Sequence, residues 1–221
     1  MAILAILTLI VAVIGVVLLT QVMKLFQPGE RKMQQEVNNM RLDMQKWVGE
    51  LVPIDKKELE LFSLSQIKQV LRKRWTTSAK GIFTTIYNEP IIAYSYKQFL
   101  GRGRHALLYA RSASHEYAFW IRPKGVQVVI DNKLVGTYRD NTLLSAKSGK
   151  PIAILQPETQ NALLPVRINN REVGSLVSAT PAAGKGLSQR AFEFLKNDIT
   201  EEEETLLLAL SVLELVNRKV E

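Results

Sequence analysis

Near its C-terminus the chain reads Leu206-Leu207-Leu208-Ala209-Leu210-Ser211-Val212-Leu213, with Leu215 and Val216 beyond Glu214, apolar on every side. Thr200 and four consecutive glutamates, Glu201 to Glu204, precede it. They mark a helix start, because carboxylates are favourable at the positive end of a helix dipole. The run is too short to cross a bilayer, which takes about 20 residues. A helix without a polar face must be enclosed by protein. The rest of the chain holds a candidate for what encloses it.

The segment from Lys80 to Val177 supplies that material. Its period falls towards two, with β-branched and aromatic residues between turn signals. Four turns stand out, at 87–91, 130–134, 147–152 and 168–172, each holding Asn, Asp or Gly where a tight hairpin demands positive φ. VVIDNKLVGTY (128–138) also repeats as VRINNREVGSL (166–176), 38 residues on. Two such units are too few for a propeller, so two packed sheets or a closed barrel are expected. A β-barrel with a central helix satisfies both the hairpins and the apolar C-terminal run.

The N-terminus poses a different problem. From Ala2 to Thr20 there is no charge, and only Thr8 and Thr20 are polar. That length suits a transmembrane helix. The competing reading is a cleaved signal peptide, which wants a basic start, a shorter core and a small-x-small cleavage site; Gln21-Val22-Met23-Lys24 offers none. Lys24, Arg31 and Lys32 follow the span and nothing comparable precedes it, so the C-terminal side is expected in the cytoplasm. The expected location is a cell membrane, crossed once. Pro28-Gly29 breaks the anchor. Met33, Val37, Met40, Met44, Trp47 and Leu51 then recur at heptad spacing. One reading is a juxtamembrane coiled coil making a homodimer through these six residues. The other is an amphipathic helix packed on the following domain or lying on the membrane. Asp55 to Glu58 looks like a helix cap, and Leu64, Ile67, Val70 and Leu71 put a helix over about 63–74. The expected organisation is an anchor over 1–24, a connector helix over 28–52 and a β-domain over 53–221.

Charge is distributed just as unevenly. Residues 1–62 are balanced, residues 63–198 carry 20 basic and 8 acidic side chains, and residues 199–221 are net −4. Chemistry is scarce by comparison. With no cysteine in the chain, thiol catalysis, disulfides and thiolate metal sites are excluded. His105 and His115 lack the spacing of a metal site, and no serine sits in a Gly-x-Ser-x-Gly elbow. Gly184-Lys185-Gly186 lacks the hydroxyl residue a phosphate loop needs after its lysine. No catalytic residue, metal or cofactor is expected.

At this point the paired "I-D/N-N-K/R-x-V-G" hairpins, the strand Ala191-Phe192-Glu193-Phe194-Leu195, the acidic turn and TLLLALSVLELVNR resemble the tubby-like superfamily, including the phospholipid scramblase-like and LURP-one-related proteins. The resemblance covers about residues 75–217. It implies a mainly β fold: a twelve-stranded antiparallel barrel around a hydrophobic C-terminal helix. The cysteine-rich segment of animal scramblases and an acidic calcium loop are both missing, so scrambling is not carried over. The superfamily includes phosphoinositide binders, which implies a lipid ligand. The basic residues Arg72, Lys73, Arg74, Lys97, Arg102, Arg104, Arg122 and Lys124 are accordingly the candidate headgroup site. Basic-aromatic mixtures also suit nucleic acid, but an anchored chain with no recognition motif is not expected to bind it. The alternative is an assembly protein, with the barrel as a docking platform and the connector helix as the oligomerising element.

Overall fold

The structure, a computed structural model, describes residues 6, 9–19, 29–55, 59–73, 76–100, 103–156, 163–177 and 190–220. Its centre is one antiparallel sheet of twelve strands whose spatial order is their order in the chain. The strands are β1 (Phe62–Lys73), β2 (Thr77–Thr85), β3 (Pro90–Phe99), β4 (His105–Arg111), β5 (Glu116–Arg122) and β6 (Gly125–Ile130), then β7 (Lys133–Arg139), β8 (Thr142–Ser145), β9 (Pro151–Leu155), β10 (Leu163–Ile168), β11 (Arg171–Val177) and β12 (Phe192–Leu195). The sheet curls into a nearly closed barrel. At the seam the Ala191 amide donates to the Phe62 carbonyl (2.7 Å), and Ser63 bridges to Arg190. Helix α1 (Glu30–Val48) precedes the barrel and helix α2 (Glu201–Val220) follows it.

Helix α2 fills the barrel. Leu206 to Leu213, Leu215 and Val216 are buried against inward-facing Phe83, Ile92, Phe119, Val128, Val166 and Leu176. Ser211, inside this run, returns its hydroxyl to the Leu207 carbonyl at 2.6 Å. The helix starts with a capping box. Thr200 Oγ1 accepts from the Glu203 amide (3.2 Å), and a Glu203 carboxylate oxygen accepts from the Thr200 amide (2.9 Å).

The repeated hairpins share one geometry. Asp131 and Asn132, and likewise Asn169 and Asn170, have positive φ at both turn positions. Val128 faces Gly136 while Val129 faces Leu134, so Val135 is an extra residue; Val173 is extra in the second unit by the same register. The glycine after each bulge meets a neighbouring strand. A Cβ at Gly136 would lie 2.0 Å from the Leu144 carbonyl oxygen, and one at Gly174 would lie 2.9 Å from that of Phe194. The repeat is therefore a turn, a bulge and a close approach, and each fixes a residue type. A third such turn, Asp140-Asn141, joins β7 to β8.

One expectation is corrected, and one pair of alternatives is narrowed. The segment over 63–74 is strand β1 through Lys73, not a helix. Register shifts between Phe62 and Gln66 and between Ile67 and Val70, with Lys68 at φ 51°, interrupt the two-residue alternation. The apolar residues consequently fall at spacings of three and one, and these imitate a helix face. Second, the heptad stripe is covered within the chain. Met33, Val37, Met40, Met44 and Leu51 are buried on the outer wall with Ile82, Ala93, Leu107 and Tyr109, and Trp47 packs against that cluster. Of the two readings of the connector, packing on the following domain holds, and the stripe offered as a dimer seam is already occupied. Strands β2 to β5 are thus buried on both faces, which explains apolar runs such as Ile91-Ile92-Ala93-Tyr94.

The capping pattern at 55–58 lies largely outside the described residues, although the Leu59 amide does donate to the Asp55 carbonyl at 3.0 Å. Much of the expected anchor over 1–24 also lies outside them. Its described residues 9–19 are helical and present exposed Leu9, Val11, Val13 and Val16. Among the described residues no helix is long and apolar enough to cross a membrane.

Candidate functional site

An up-and-down barrel sorts its turns into two sets, one per end. The odd strands finish, and the even strands start, at the end that carries Lys73, Phe99, Arg122 and Arg139. This arrangement decides where the basic residues go. Arg72 and Lys73 close β1, opposite Ser78 and Thr77; Lys97 faces Ser78 from the other side, near the end of β3. Arg104 immediately precedes β4, Arg122 ends β5 opposite Gly125, and Lys124 lies in the turn between. Side chains spread over some fifty positions of sequence therefore gather at one barrel end. Arg74 and Arg102 lie outside the described residues, as do Lys185 and its loop.

The gathered side chains are not equivalent. Lys97 gives its ammonium to Glu36 of α1 at 2.8 Å, so its charge is largely matched. Arg104 donates to the Asn217 side chain (3.0 Å), near the end of α2. Arg122 lies over the Trp120 ring at 5.7 Å, an arrangement that holds a guanidinium without neutralising it. Arg72 and Lys124 are exposed. Arg139, absent from the sequence-based set, joins this end paired with Asp140 at 3.1 Å. The signal that would have found it is the Asp140-Asn141 turn, which sets the direction of β7. Other basic residues of the middle segment are engaged on the wall instead. Lys80 pairs with Asp43, Lys68 with Glu50, and Arg111 holds Glu116 at 2.8 Å, joined from the other side by Arg41 of α1 at 2.8 Å.

The opposite end is mixed, with Lys133, Lys147, Lys150, Arg171 and Lys196, but acids outnumber them. It carries Glu89, Asp131, Glu172, Asp198 and the glutamates that open α2. Arg171 organises part of it, donating to Glu203 at 2.9 and 2.7 Å and to Asp198 at 2.7 Å. Those bonds hold the buried Glu203 carboxyl down at about 2 and keep Asp198 below the usual carboxylate range. His115 Nδ1 lies 2.8 Å from Asp131 there. A cleft of about 480 Å³ opens beside these groups, lined by His115, Asp131, Lys133, Ile152, Glu201 and Leu206. Among the described residues no three His, Cys, Asp or Glu side chains are grouped to hold a metal ion.

A second cavity, of about 230 Å³, lies between α1 and the wall, lined by Gln34, Asn38, Arg41, Tyr109, Glu116 and Trp120. Arg41 is engaged inside it, with Nε on Glu116 (2.9 Å) and Nη2 on Asn132 (2.9 Å). Its polar groups thus fasten α1 to the barrel.

The fold therefore presents one basic end, one net acidic end and a wall covered by α1 over β2 to β5. Comparison of the chain with protein-family models, with curated proteins and with solved structures found no match.

Proposed function

We propose that this chain is a membrane-anchored, non-enzymatic module of tubby-like, scramblase-like kind that binds anionic lipid headgroups at the cytoplasmic leaflet. One observation carries the reading: Arg72, Lys73, Arg104, Arg122 and Lys124, picked out as basic residues in the sequence, collect at one end of the barrel. An anionic leaflet attracts each well-placed Lys or Arg by about 1 kcal/mol. The exposed aliphatic residues within 9–19 support an anchor, since apolar side chains of that density seek an apolar solvent. For the alternative, assembly through the connector helix, α1 has its apolar stripe already covered by the sheet.

Flotation on vesicles tests the proposal. The fragment should begin at Gly29 rather than at 53, because removing α1 would bare the wall beneath it. Binding is expected with phosphatidylserine vesicles and not with phosphatidylcholine alone. It should weaken as salt shortens the Debye length from about 10 Å at 0.1 M to about 3 Å at 1 M. Replacing Arg72 and Lys124 together by Gln is expected to weaken binding about 30-fold. Absent binding, or binding indifferent to salt, would sink the proposal.

A further inference from the structure

Helix α1 has a direction relative to the two ends. Glu36, in its second turn, receives Lys97 at 2.8 Å, close to the basic end of β3. Arg41 reaches Glu116, the first residue of β5, and Asn132 in the β6–β7 turn, both at the acidic end. Just beyond the helix, the Val52 amide donates to the carbonyl of Pro90, the first residue of β3, at 2.8 Å. So α1 descends from the basic end to the acidic end. Its N-cap, Gly29, lies about 10 Å further towards the basic side than Glu36, at about 1.5 Å per residue.

Upstream, only residues 20–28 separate that N-cap from the exposed apolar residues 9–19. Nine residues span at most about 30 Å even when fully extended. If 9–19 sit in a bilayer, the basic end is tethered within that reach of its surface. The acidic end is roughly another helix length away, about 28 Å for the 19 residues of α1. Several apolar side chains are also exposed on the tethered side: Val70 and Leu71 at 46% each, beside Arg72 and Lys73, and Leu100 at 40%, just before Arg104. Aliphatic side chains among cations suit a headgroup layer, where one group seeks acyl chains and the other phosphate.

We infer that the barrel docks end-on against the anionic surface of its own membrane, with the ends of β1 and β5 inward and the acidic end facing away. The inference rests on the lipid-binding reading and adds to it which end meets the lipid and which membrane supplies it. Charge helps to fix the orientation, because the net acidic balance of the far end, despite Lys147 and Lys150 there, makes it the weaker partner for an anionic leaflet.

The full-length chain offers a direct test, since it has no cysteine and any introduced one is unique. Pro123→Cys in the β5–β6 turn marks the basic end, and Ser148→Cys in the β8–β9 turn marks the acidic end. Each is labelled with a small fluorophore and reconstituted into bilayers containing headgroup spin-labelled lipid. With phosphatidylserine present, quenching at 123 should exceed that at 148 several-fold, and the excess should vanish in phosphatidylcholine alone. Equal quenching, or stronger quenching at 148, overturns the orientation while lipid binding stands. No quenching at either site overturns it too. Flotation of the Gly29 fragment then tells the two failures apart: a fragment that floats leaves lipid binding intact, and one that does not removes both ideas.

Discussion

Glu203 is buried at the mouth of the barrel and carries three tasks at once: helix cap, partner of Arg171 and link between α2 and the β10–β11 turn. Because its folded pKa is depressed, its contribution is fully present above the ordinary carboxylate value. It is lost as pH falls from there through about 2. Urea unfolding as a function of pH should therefore show a stability decline below about pH 4.5. In Glu203→Gln that acid limb should flatten, with about 1–2 kcal/mol lost at neutral pH, because the charge-assisted bonds to Arg171 go while Arg171 keeps Asp198. An unchanged acid limb would remove Glu203 from this role. Gly136 makes a second prediction. With a Cβ only 2.0 Å from the Leu144 carbonyl oxygen, Gly136→Ala forces β7 and β8 apart and should cost about 2–3 kcal/mol. Gly149→Ala, at φ +65° in open space, should cost only the left-handed backbone penalty of about 1 kcal/mol. Thermal melts of the two variants compare them directly.

At the scale of elements, α1 behaves as part of the barrel. Met33, Val37, Met40 and Met44 each remove an apolar side chain from water, worth about 1.5–3 kcal/mol apiece. Met44 has no exposure at all, so Met44→Lys should release α1 from the wall. Limited proteolysis is expected to cut near Gly49 in that variant and not in the parent; an unchanged digestion pattern would refute the docking. Elements also show how much was legible. The hairpins were, because tight turns need Asx or Gly and the chain supplies them at 131–132, 149 and 169–170. Strand β1 was not, because its two bulges shift the apolar residues out of the alternation that identifies a strand. The 3-4 stripe of α1 was legible as an amphipathic helix. What covers it was not, since the covering residues belong to the outer faces of strands some forty to eighty positions away.

For the whole molecule, net charge per segment indicated that a basic region existed, and the meander of strands determined its shape. Arg72 and Lys124 share an end only because an even number of strands lies between their turns, a fact about topology that composition does not contain. The same serial topology has a consequence for how the chain is made. Each strand pairs with its predecessor in sequence, so the wall can grow in the order in which the ribosome delivers it, at roughly 5–20 residues per second. The interior cannot follow that order. Its filling, α2, begins at Glu201, after the last strand has ended at Leu195. Until α2 emerges, the nascent wall therefore exposes an apolar lining with nothing to hold. Such a chain is a natural client for chaperones that bind exposed hydrophobic surface, and its final step is insertion of a helix rather than pairing of a strand.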